Sequence, residues 1–393
     1  MPLRMRSHLS PPLTFTASLG LSIFDFSPLH LGLPTSTFSS GGPPAQHLSC
    51  SEPFASHYVA HWHCKTAMDS SIVQAQQKQQ QVRVNPWACD EQEHYKRLGV
   101  LGKSSAFISP RGLRLFTRTF EPAHVFPSAC ICMIHGYSTD ISWTFRNTGI
   151  RFATMGYAAF AMDIEGHGYS EGLKGFVPNL DFVAEDFYSF FMVQKQDPRY
   201  KDLPFFLFGE SLGGGICLLL HLAHPQDFAG AILVSPMCKI SDTIKPPWPL
   251  PQLLTFFSWL APTWGVVPTK DLRPLSFKDP AKLELSLQNP NRYMGKPRLG
   301  TAREMVRVTL YLSQRLHEVS LPFLVVHGVG DVVTDPEVSR ALFETAKSTD
   351  KTLKLYDGMW HALLAGECDA DVDAIFNDIQ KWLEEHLEKC NEE

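Results

Sequence analysis

The chain has 393 residues, with 35 lysines and arginines against 40 acidic residues and a formal net charge of −5. Because the two signs are interspersed, the charge pattern does not favour a nucleic-acid partner. No run of about eighteen apolar residues occurs, so no transmembrane helix is expected. The nine cysteines are scattered without metal-ligand spacing and are interpreted as buried free thiols, so neither a metal nor another cofactor is expected.

Residues 1–67 differ from the rest of the chain, because they are rich in Ser, Pro, Leu and Phe and nearly free of charge. This composition suits a plastid or mitochondrial transit peptide. It suits equally a disordered tail, or an upstream extension of the reading frame with Met68 as the working start. The Gln-rich stretch at 74–81 is interpreted as a linker, so residues 1–84 form one predicted extension and order is expected from about Asn85.

From about residue 111, short apolar runs alternate with helical patterns, which predicts βαβ units and a mostly parallel sheet. The central runs are almost continuously apolar, as expected for strands that helices cover on both faces. The predicted strands are GLRLFTRTF (112–120), ACICMIHG (129–136), GYAAFAMDIEG (156–166), PFFLFGE (204–210), AGAILVSP (229–236), LPFLVVHG (321–328) and TLKLYDG (352–358).

Two stretches carry apolar residues at clear helical spacing. The last helix is predicted from about Val372 to Cys390. An earlier one is predicted from Leu180 to Gln194, with one apolar face that is expected in the core. That face consists of Phe182, Val183, Phe187, Phe190 and Phe191.

The strand pattern stops between about 239 and 319, where the sequence becomes rich in proline and tryptophan. We interpret this segment as a helical cap inserted between two core segments, 85–238 and 320–393, with a helix predicted from Ala302 to His317. Three roles stay open for its many apolar residues: packing on the core, walling a pocket for an apolar substrate, or touching a membrane surface. The tentative pocket residues are Phe256, Trp259 and Trp264.

Two segments match the pattern Gly-x-Ser-x-Gly, one around Ser170 and one around Ser211. Ser170 follows a Gly-His-Gly turn and precedes a loop-like stretch. Ser211 lies between an apolar strand and a helical run that begins with three glycines, which is the strand–turn–helix context of a nucleophile elbow. The helix N-terminus beside it offers N–H groups to negative charge. Ser211 is therefore the predicted nucleophile, and Ser170 is interpreted as a loop serine.

A serine hydroxyl needs a base that accepts its proton and a third group that orients the base. Around such an elbow, the expected order along the chain is serine, acid, histidine. Asp331 is the favoured acid, while Asp335, directly before Pro336, is the alternative and is more typical of a helix N-cap. His361, just after the last predicted strand, is the favoured base. His327, inside a strand end, is interpreted as structural.

The negative oxygen of an acyl-transfer intermediate needs two backbone N–H donors. Leu212, directly after the serine, is predicted to supply one, and Tyr137 in the turn after an earlier strand the other. His135 is interpreted as a structural residue that hydrogen-bonds this loop. Asp163, before a glycine-rich turn, is likewise interpreted as a structural acceptor of loop N–H groups.

Several separate motifs in this order resemble the monoacylglycerol lipase-like serine hydrolases, over about residues 95–390. The plant branch, which includes monoacylglycerol lipases, lysophospholipases and caffeoylshikimate esterases, is the most similar. The matching motifs are HGYSTDISW (135–143), MDIEGHGYSEG (162–172), GESLGGG (209–215), NPNRYMGKPRLGTARE (289–304), HGVGDVVTDP (327–336) and GMWHALLAGE (358–367).

The resemblance implies an α/β-hydrolase fold, with a mostly parallel central sheet flanked by helices and a cap over an acyl pocket. It also implies Ser211, Asp331 and His361 as the catalytic triad, and the Tyr137 and Leu212 N–H groups as the oxyanion hole. The implied activity is hydrolysis of monoacylglycerol or lysophospholipid to fatty acid and alcohol, and caffeoylshikimate, an aromatic ester, is the alternative substrate.

Two other functions stay open at this point. Acyl transfer to an alcohol can use the same acyl-enzyme, although the His135-x-x-x-x-Asp140 spacing, which also occurs in acyltransferases, is interpreted as incidental. A non-catalytic ligand-binding protein would lack a triad member, and none is missing here. We expect a small, lipid-like ester as partner, with peripheral membrane contact through the cap. The expected location is the cytoplasm or a membrane surface, or a plastid if residues 1–67 are a transit peptide.

Overall fold

The structure is a computed structural model that describes residues 89–239, 250–267 and 271–392. The predicted extension over 1–84 and the proline-rich start of the cap lie outside the described residues. All the elements below belong to one compact unit.

Eight strands among the described residues form a single sheet. They are β1 (Val100–Ile108), β2 (Arg114–Pro122), β3 (Cys130–Ile134), β4 (Ala158–Met162), β5 (Phe205–Glu210), β6 (Gly230–Val234), β7 (Phe323–Gly328) and β8 (Lys351–Tyr356). The strand order is β1-β2-β4-β3-β5-β6-β7-β8. Pairings of β2 with β1 and β4 are antiparallel, and the other five are parallel. The predicted mostly parallel α/β sheet is confirmed.

Helices connect the strands and pack on both faces of the sheet. They are α1 (Glu91–Arg97), α2 (Thr144–Thr154), α3 (Leu180–Lys195), α4 (Leu212–Ala223), α5 (Leu250–Leu260), α6 (Arg273–Ser276), α7 (Pro280–Leu287), α8 (Leu299–Arg315), α9 (Pro336–Thr345) and α10 (Asp369–Glu392). A short 3₁₀ turn, Leu316–Glu318, follows α8.

The sheet separates two hydrophobic clusters, because successive side chains of a strand point to opposite faces. In β5, Phe206 and Phe208 face α2 and α10, where the Phe208 ring lies 5.2 Å from Phe152 and the Phe206 ring 5.9 Å from Trp382. Phe205 and the other face of β5 pack with α3 and α4. Each fully buried phenylalanine stabilises the fold by about 1.5–3 kcal/mol, so the central strands are anchored from both sides.

The structure differs from the sequence prediction in two details. The strand β1 was not among the predicted strands, because it is an edge strand whose residues are mostly exposed and carry no continuous apolar run. Phe182 is not a core residue: it is 54% exposed, with the Arg111 guanidinium over its ring. At about 100° per residue, Phe182 points well over 90° away from the mean direction of the buried residues that follow it in α3.

The cap elements α5 to α8 lie between β6 and β7, as the break in the strand pattern predicted. The predicted helix at 302–317 is present as α8, which begins three residues earlier and packs against α5. The exact domain boundaries at 239 and 319 remain a prediction. Among the described helices, none has both the length and the apolar character needed to cross a bilayer.

Candidate active site

Ser211 lies at the apex of a sharp turn between β5 and α4. Its φ of 53° is positive, a conformation that costs a residue with a side chain roughly 1–3 kcal/mol and must be held by its surroundings. The Ser211 N–H donates to the Val234 carbonyl oxygen at 2.9 Å, and the Ser211 carbonyl oxygen accepts from Met237 N–H at 2.9 Å. The end of β6 therefore clamps the strained serine in place.

Close backbone packing explains the glycines around this turn. A Cβ on Gly209 would lie 2.5 Å from the Gly213 carbonyl carbon, and a Cβ on Gly213 would collide with the Ile134 carbonyl oxygen. Both collisions involve backbone, which cannot move aside as the end of a side chain can. The strand-to-helix turn predicted from the sequence thus needs glycine on both sides of the serine.

Asp331 and His361 form a hydrogen-bonded pair, with 2.7 Å between Asp331 Oδ2 and His361 Nδ1. The other oxygen, Asp331 Oδ1, accepts the N–H groups of Val333 at 2.7 Å and Thr334 at 3.0 Å. Since an ionised carboxylate only accepts, His361 Nδ1 carries the proton and Nε2 is left as an acceptor. The favoured acid and base of the sequence are therefore brought together.

The electrostatics of Asp331 favour its ionised form. Burial raises the pKa of this carboxyl group, but hydrogen bonds from His327 and His361 outweigh burial and bring the pKa well below its ordinary value. Asp331 therefore stays negatively charged at neutral pH, which stabilises an imidazolium beside it. The competitor Asp335 is the N-cap of α9, accepting Glu337 N–H at 3.0 Å directly before Pro336.

The parallel strands bring the three segments to one edge of the sheet. Glu210 at the end of β5 pairs with Val234 at the end of β6, and Val234 pairs with Val326 of β7. Ser211, Asp331 and His361 follow the carboxyl ends of β5, β7 and β8, which all lie at this edge. Next to the elbow, Ser235 Oγ donates to the His361 carbonyl oxygen at 3.3 Å.

Both predicted oxyanion residues lie on turns that flank Ser211. Leu212 is the first residue of α4, so its N–H has no acceptor within its own helix. Gly136 of the other turn packs so closely on the elbow that a Cβ there would lie 3.4 Å from Ser211 Cβ. The next residue, Tyr137, is anchored by a 3.0 Å hydrogen bond from its hydroxyl to the Gly175 carbonyl oxygen. This geometry supports the assignment of both residues.

The buried side chain of His135 has no free ring nitrogen with which to act as a base. Its Nε2 accepts Ile164 N–H at 2.9 Å, and its Nδ1 donates to the Gly136 carbonyl oxygen at 2.8 Å. Burial lowers the pKa of His135 to about 4, so the ring is neutral. The structural interpretation fits these contacts. Asp140, its partner in the acyltransferase-like spacing, instead accepts the Asn289 side-chain amide of the cap at 2.6 Å.

Ser170, the second match to the serine pattern, is engaged in backbone contacts. Its hydroxyl donates to the Asp163 carbonyl oxygen at 2.7 Å and accepts Phe116 N–H at 2.8 Å. Asp163 itself accepts the N–H groups of Ile141 and Tyr169, both at 2.8 Å. Burial, and then the charge of Asp140, raise the pKa of Asp163 to about 8. Both residues support the loops around the site.

The cap is tied directly to the loop that carries His361. Ala362 N–H donates to the Ser276 carbonyl oxygen at 2.9 Å, and the N–H groups of Lys278 and Asp279 donate to the Gly366 carbonyl oxygen at 3.1 and 2.8 Å. We call residues 276–279 the cap strap. Its contacts fall on Ala362 and Gly366, which both follow His361 in the chain, so the strap and the histidine loop form one hydrogen-bonded unit.

Two buried carboxyl groups near the triad were not singled out by the sequence analysis. Glu367 Oε1 accepts Trp360 N–H at 2.6 Å, one residue before His361. Glu210, next to Ser211, has a buried Oε1 without a hydrogen-bond partner among the described residues, and burial raises its pKa to about 8. In the sequence, Glu210 could have been noticed only because it lies inside the Gly-x-Ser-x-Gly pattern. Glu367 could have been noticed only because it ends the motif at 358–367.

The tentative pocket residues of the cap are largely exposed. Phe256, Trp259 and Trp264 are 55%, 75% and 63% exposed, and the first two lie on α5. Such exposure fits an outward-facing apolar surface better than the wall of a closed pocket. Their role in substrate binding remains a prediction.

Comparison with known proteins identifies the family of this chain. The Hydrolase_4 family model, described as serine aminopeptidase, S33, matches residues 126–369. Caffeoylshikimate esterase of Arabidopsis thaliana is 39% identical over 300 residues, covering 76% of this chain and 90% of that protein. Human monoglyceride lipase is 29% identical over 285 residues, covering 70% of this chain and 88% of that protein.

Solved structures share the fold. A soluble variant of monoglyceride lipase from Saccharomyces cerevisiae, in complex with a substrate analog, superposes with a TM-score of 0.64 at 21% identity. The match covers 72% of this chain and 94% of that chain. The chain therefore belongs to the Hydrolase_4 family and is an ester hydrolase of the α/β-hydrolase fold.

Proposed function

We propose that this protein is a serine esterase that hydrolyses monoacylglycerol through Ser211, His361 and Asp331. One observation carries the proposal: the 2.7 Å bond between Asp331 Oδ2 and His361 Nδ1 lies at the same sheet edge as the strained serine elbow. This chemistry requires three parts: an ionised acid, a base that the acid orients, and a serine at the apex of a strand-to-helix turn.

In the first half of the reaction, Ser211 Oγ attacks the ester carbonyl carbon while His361 Nε2 accepts the hydroxyl proton. The carbonyl oxygen becomes negatively charged, and the N–H groups of Tyr137 and Leu212 stabilise it. Each such donor contributes on the order of 10²–10³ in rate. Collapse of the intermediate breaks the bond to the alcohol, and His361 returns the proton to the leaving oxygen.

In the second half, water attacks the acyl-enzyme. His361 Nε2 now accepts a proton from the water, and the same oxyanion donors stabilise the second intermediate. Its collapse releases the free acid and returns the proton to Ser211. Throughout both halves, Asp331 holds the Nδ1–H of His361 and balances the positive charge of the imidazolium.

The names of the relatives suggest two classes of substrate. The monoglyceride lipases among them and the exposed apolar side chains on the cap support monoacylglycerol or a lysophospholipid. The 39% identity with caffeoylshikimate esterase, against 29% with human monoglyceride lipase, supports caffeoylshikimate as a second candidate. A side-by-side turnover assay on 2-monoacylglycerol, lysophosphatidylcholine and caffeoylshikimate separates them. The proposal fails if only caffeoylshikimate is turned over.

The triad is tested with Ser211→Ala and a serine-directed fluorophosphonate probe. The variant should lose both turnover and labelling, while its thermal unfolding stays that of a folded protein. Normal turnover by the variant would contradict the proposal. Product analysis in the presence of glycerol or a lysolipid tests acyl transfer, since a transferase yields an acylated alcohol in addition to free acid.

We also propose that the cap contacts a lipid surface. Residues 239–319 contain twelve lysines and arginines against six acidic residues, a net charge of +6 in a chain whose total is −5. Exposed aromatic side chains in a segment of net positive charge suit the surface of an anionic bilayer. Vesicles of phosphatidylcholine with and without phosphatidylserine should sediment the protein more strongly when anionic lipid is present. Replacing Phe256 and Trp259 together by serine should weaken that binding, and unchanged binding would exclude the α5 surface.

A further inference from the structure

Two histidines hydrogen-bond to the same carboxylate oxygen of Asp331. His327 Nε2 lies 3.0 Å from Asp331 Oδ2, the atom that also holds His361 Nδ1 at 2.7 Å. The side chain of His327 is 0% exposed, so no water competes for the contact. His327 is the penultimate residue of β7 and lies four residues before Asp331 in the chain.

The proton of His327 can be assigned from its partners. Its Nε2 also lies 2.9 Å from the Thr334 carbonyl oxygen, and neither that oxygen nor an ionised carboxylate can donate. The Nε2 atom must therefore carry the hydrogen. Its Nδ1 lies 2.7 Å from the hydroxyl of buried Ser339, which supplies the hydrogen of that bond to a neutral ring.

The geometry shows why Asp331 needs this contact. The Val333 and Thr334 N–H groups fix Oδ1, but a carboxylate held at one oxygen can still pivot about that oxygen. The position of Oδ2, which orients His361, is set by the remaining contacts. These are His327 Nε2 and the Thr334 hydroxyl, which donates to Oδ2 at 2.8 Å.

We propose that His327 is a positioning residue for catalysis: its Nε2–H holds Asp331 Oδ2 in the position from which that oxygen orients His361. The proposal rests on the proposed triad. A merely structural role for His327 would affect unfolding without changing kcat in folded protein. A positioning role lowers kcat and leaves KM unchanged, because the ester binds as before and only proton transfer suffers.

Two isosteric substitutions separate these roles. In His327→Gln, the side-chain amide nitrogen reaches the place of Nε2 and can still donate to Asp331. In His327→Asn, the shorter amide reaches only the place of Nδ1 beside Ser339, so the bond to Asp331 is lost. Matched substitutions at His221, a buried histidine whose Nε2 accepts Ser320 N–H at 3.0 Å, control for replacing a buried imidazole.

The readouts are kcat and KM for a soluble ester and the rate of fluorophosphonate labelling, each per mole of folded protein. His327→Asn should lower kcat and the labelling rate about tenfold or more at unchanged KM, the effect of losing a hydrogen bond to a charged group. His327→Gln should restore kcat to within about threefold of wild type, and both His221 variants should keep it.

The proposal is overturned if His327→Asn keeps its kcat, if glutamine gives no more activity than asparagine, or if the loss falls on KM. If both His327 variants fail to fold, Ser339→Ala is measured instead. It removes the bond to Nδ1 and should lower kcat about two- to threefold at unchanged KM, and an unchanged kcat overturns the proposal. Activity in Ser211→Ala would instead contradict the triad itself, so the two failures are distinguishable.

Discussion

Replacing Asp331 by asparagine tests the triad with almost no change of shape. The structure dictates how the new side chain lies, because the Val333 and Thr334 N–H groups that now donate to Oδ1 require a carbonyl oxygen there. The amide nitrogen then takes the place of Oδ2, facing His361 Nδ1. The two other donors at this position keep acceptors, because His327 Nε2 lies 2.9 Å from the Thr334 carbonyl oxygen and the Thr334 hydroxyl lies 3.1 Å from the Ser235 carbonyl oxygen. A nitrogen that donates to Nδ1 forces the imidazole proton onto Nε2.

The expected loss follows from this change of tautomer. With its proton on Nε2, His361 cannot accept the proton of Ser211, and the remaining activity comes from the oxyanion hole and from binding. In the equivalent serine–histidine–aspartate arrangement such a change costs on the order of 10⁴ in kcat. That factor corresponds to about 5 kcal/mol of transition-state stabilisation.

The assay is steady-state hydrolysis of a soluble nitrophenyl ester by Asp331→Asn and, as control, by Asp335→Asn. Asp335 lies on the same loop but caps α9, and asparagine caps a helix about as well as aspartate does, so the control should keep its activity. If Asp331→Asn kept more than about a tenth of the wild-type kcat, the assigned role of the acid would be wrong.

Three further results are expected. Gly213→Ala should unfold at clearly lower urea concentration than wild type, because its Cβ collides with the Ile134 carbonyl oxygen; equal stability would show that the elbow can relax. Asn289→Leu should lower the free energy of unfolding by about 1–3 kcal/mol, because it removes the side-chain amide that donates to buried Asp140 at 2.6 Å. A smaller loss would mean that this cap contact is not rigid. Burial raises the pKa of Glu210 to about 8 in the folded protein, whereas in the unfolded chain this carboxyl group has the ordinary pKa of a glutamate. The free energy of unfolding of the wild type should therefore fall as the pH rises from the unfolded pKa to the folded pKa. The stability advantage of Glu210→Gln in urea titrations should therefore grow from about pH 5 to about pH 8 and then level off, and a constant difference would contradict the buried position of this carboxyl group.

The sequence could predict the elements whose pattern is set by burial on both faces. Strands such as β5 and β7 are continuously apolar, and the polar residues directly after them gather at one sheet edge by topology alone. For this reason Asp331 and His361 could be paired without coordinates. The exposed strand β1 had no such pattern, and its place in the sheet depends on pairing with β2.

Contacts between side chains that are distant in the sequence could not be predicted from the sequence pattern. His327 was interpreted as structural, but its hydrogen bond to Asp331 depends on how the loop after β7 turns back on the strand. Phe182 was wrongly predicted to lie in the core because it directly precedes Val183 in the sequence, although it points away from the buried face of α3. The exposure of Trp259 could not be predicted, because it depends on which side of α5 packs against α8.

The cap strap ties part of the cap to the position of the catalytic base. Because residues 276–279 hydrogen-bond to Ala362 and Gly366, just after His361, this part of the cap cannot swing away without disturbing the loop that holds the base beside Asp331. We therefore expect substitutions in the strap to affect the position of His361, and those in α5, which packs against α8, to leave it unchanged. Exchange of whole caps between related enzymes should damage turnover unless the strap stays with its own histidine loop.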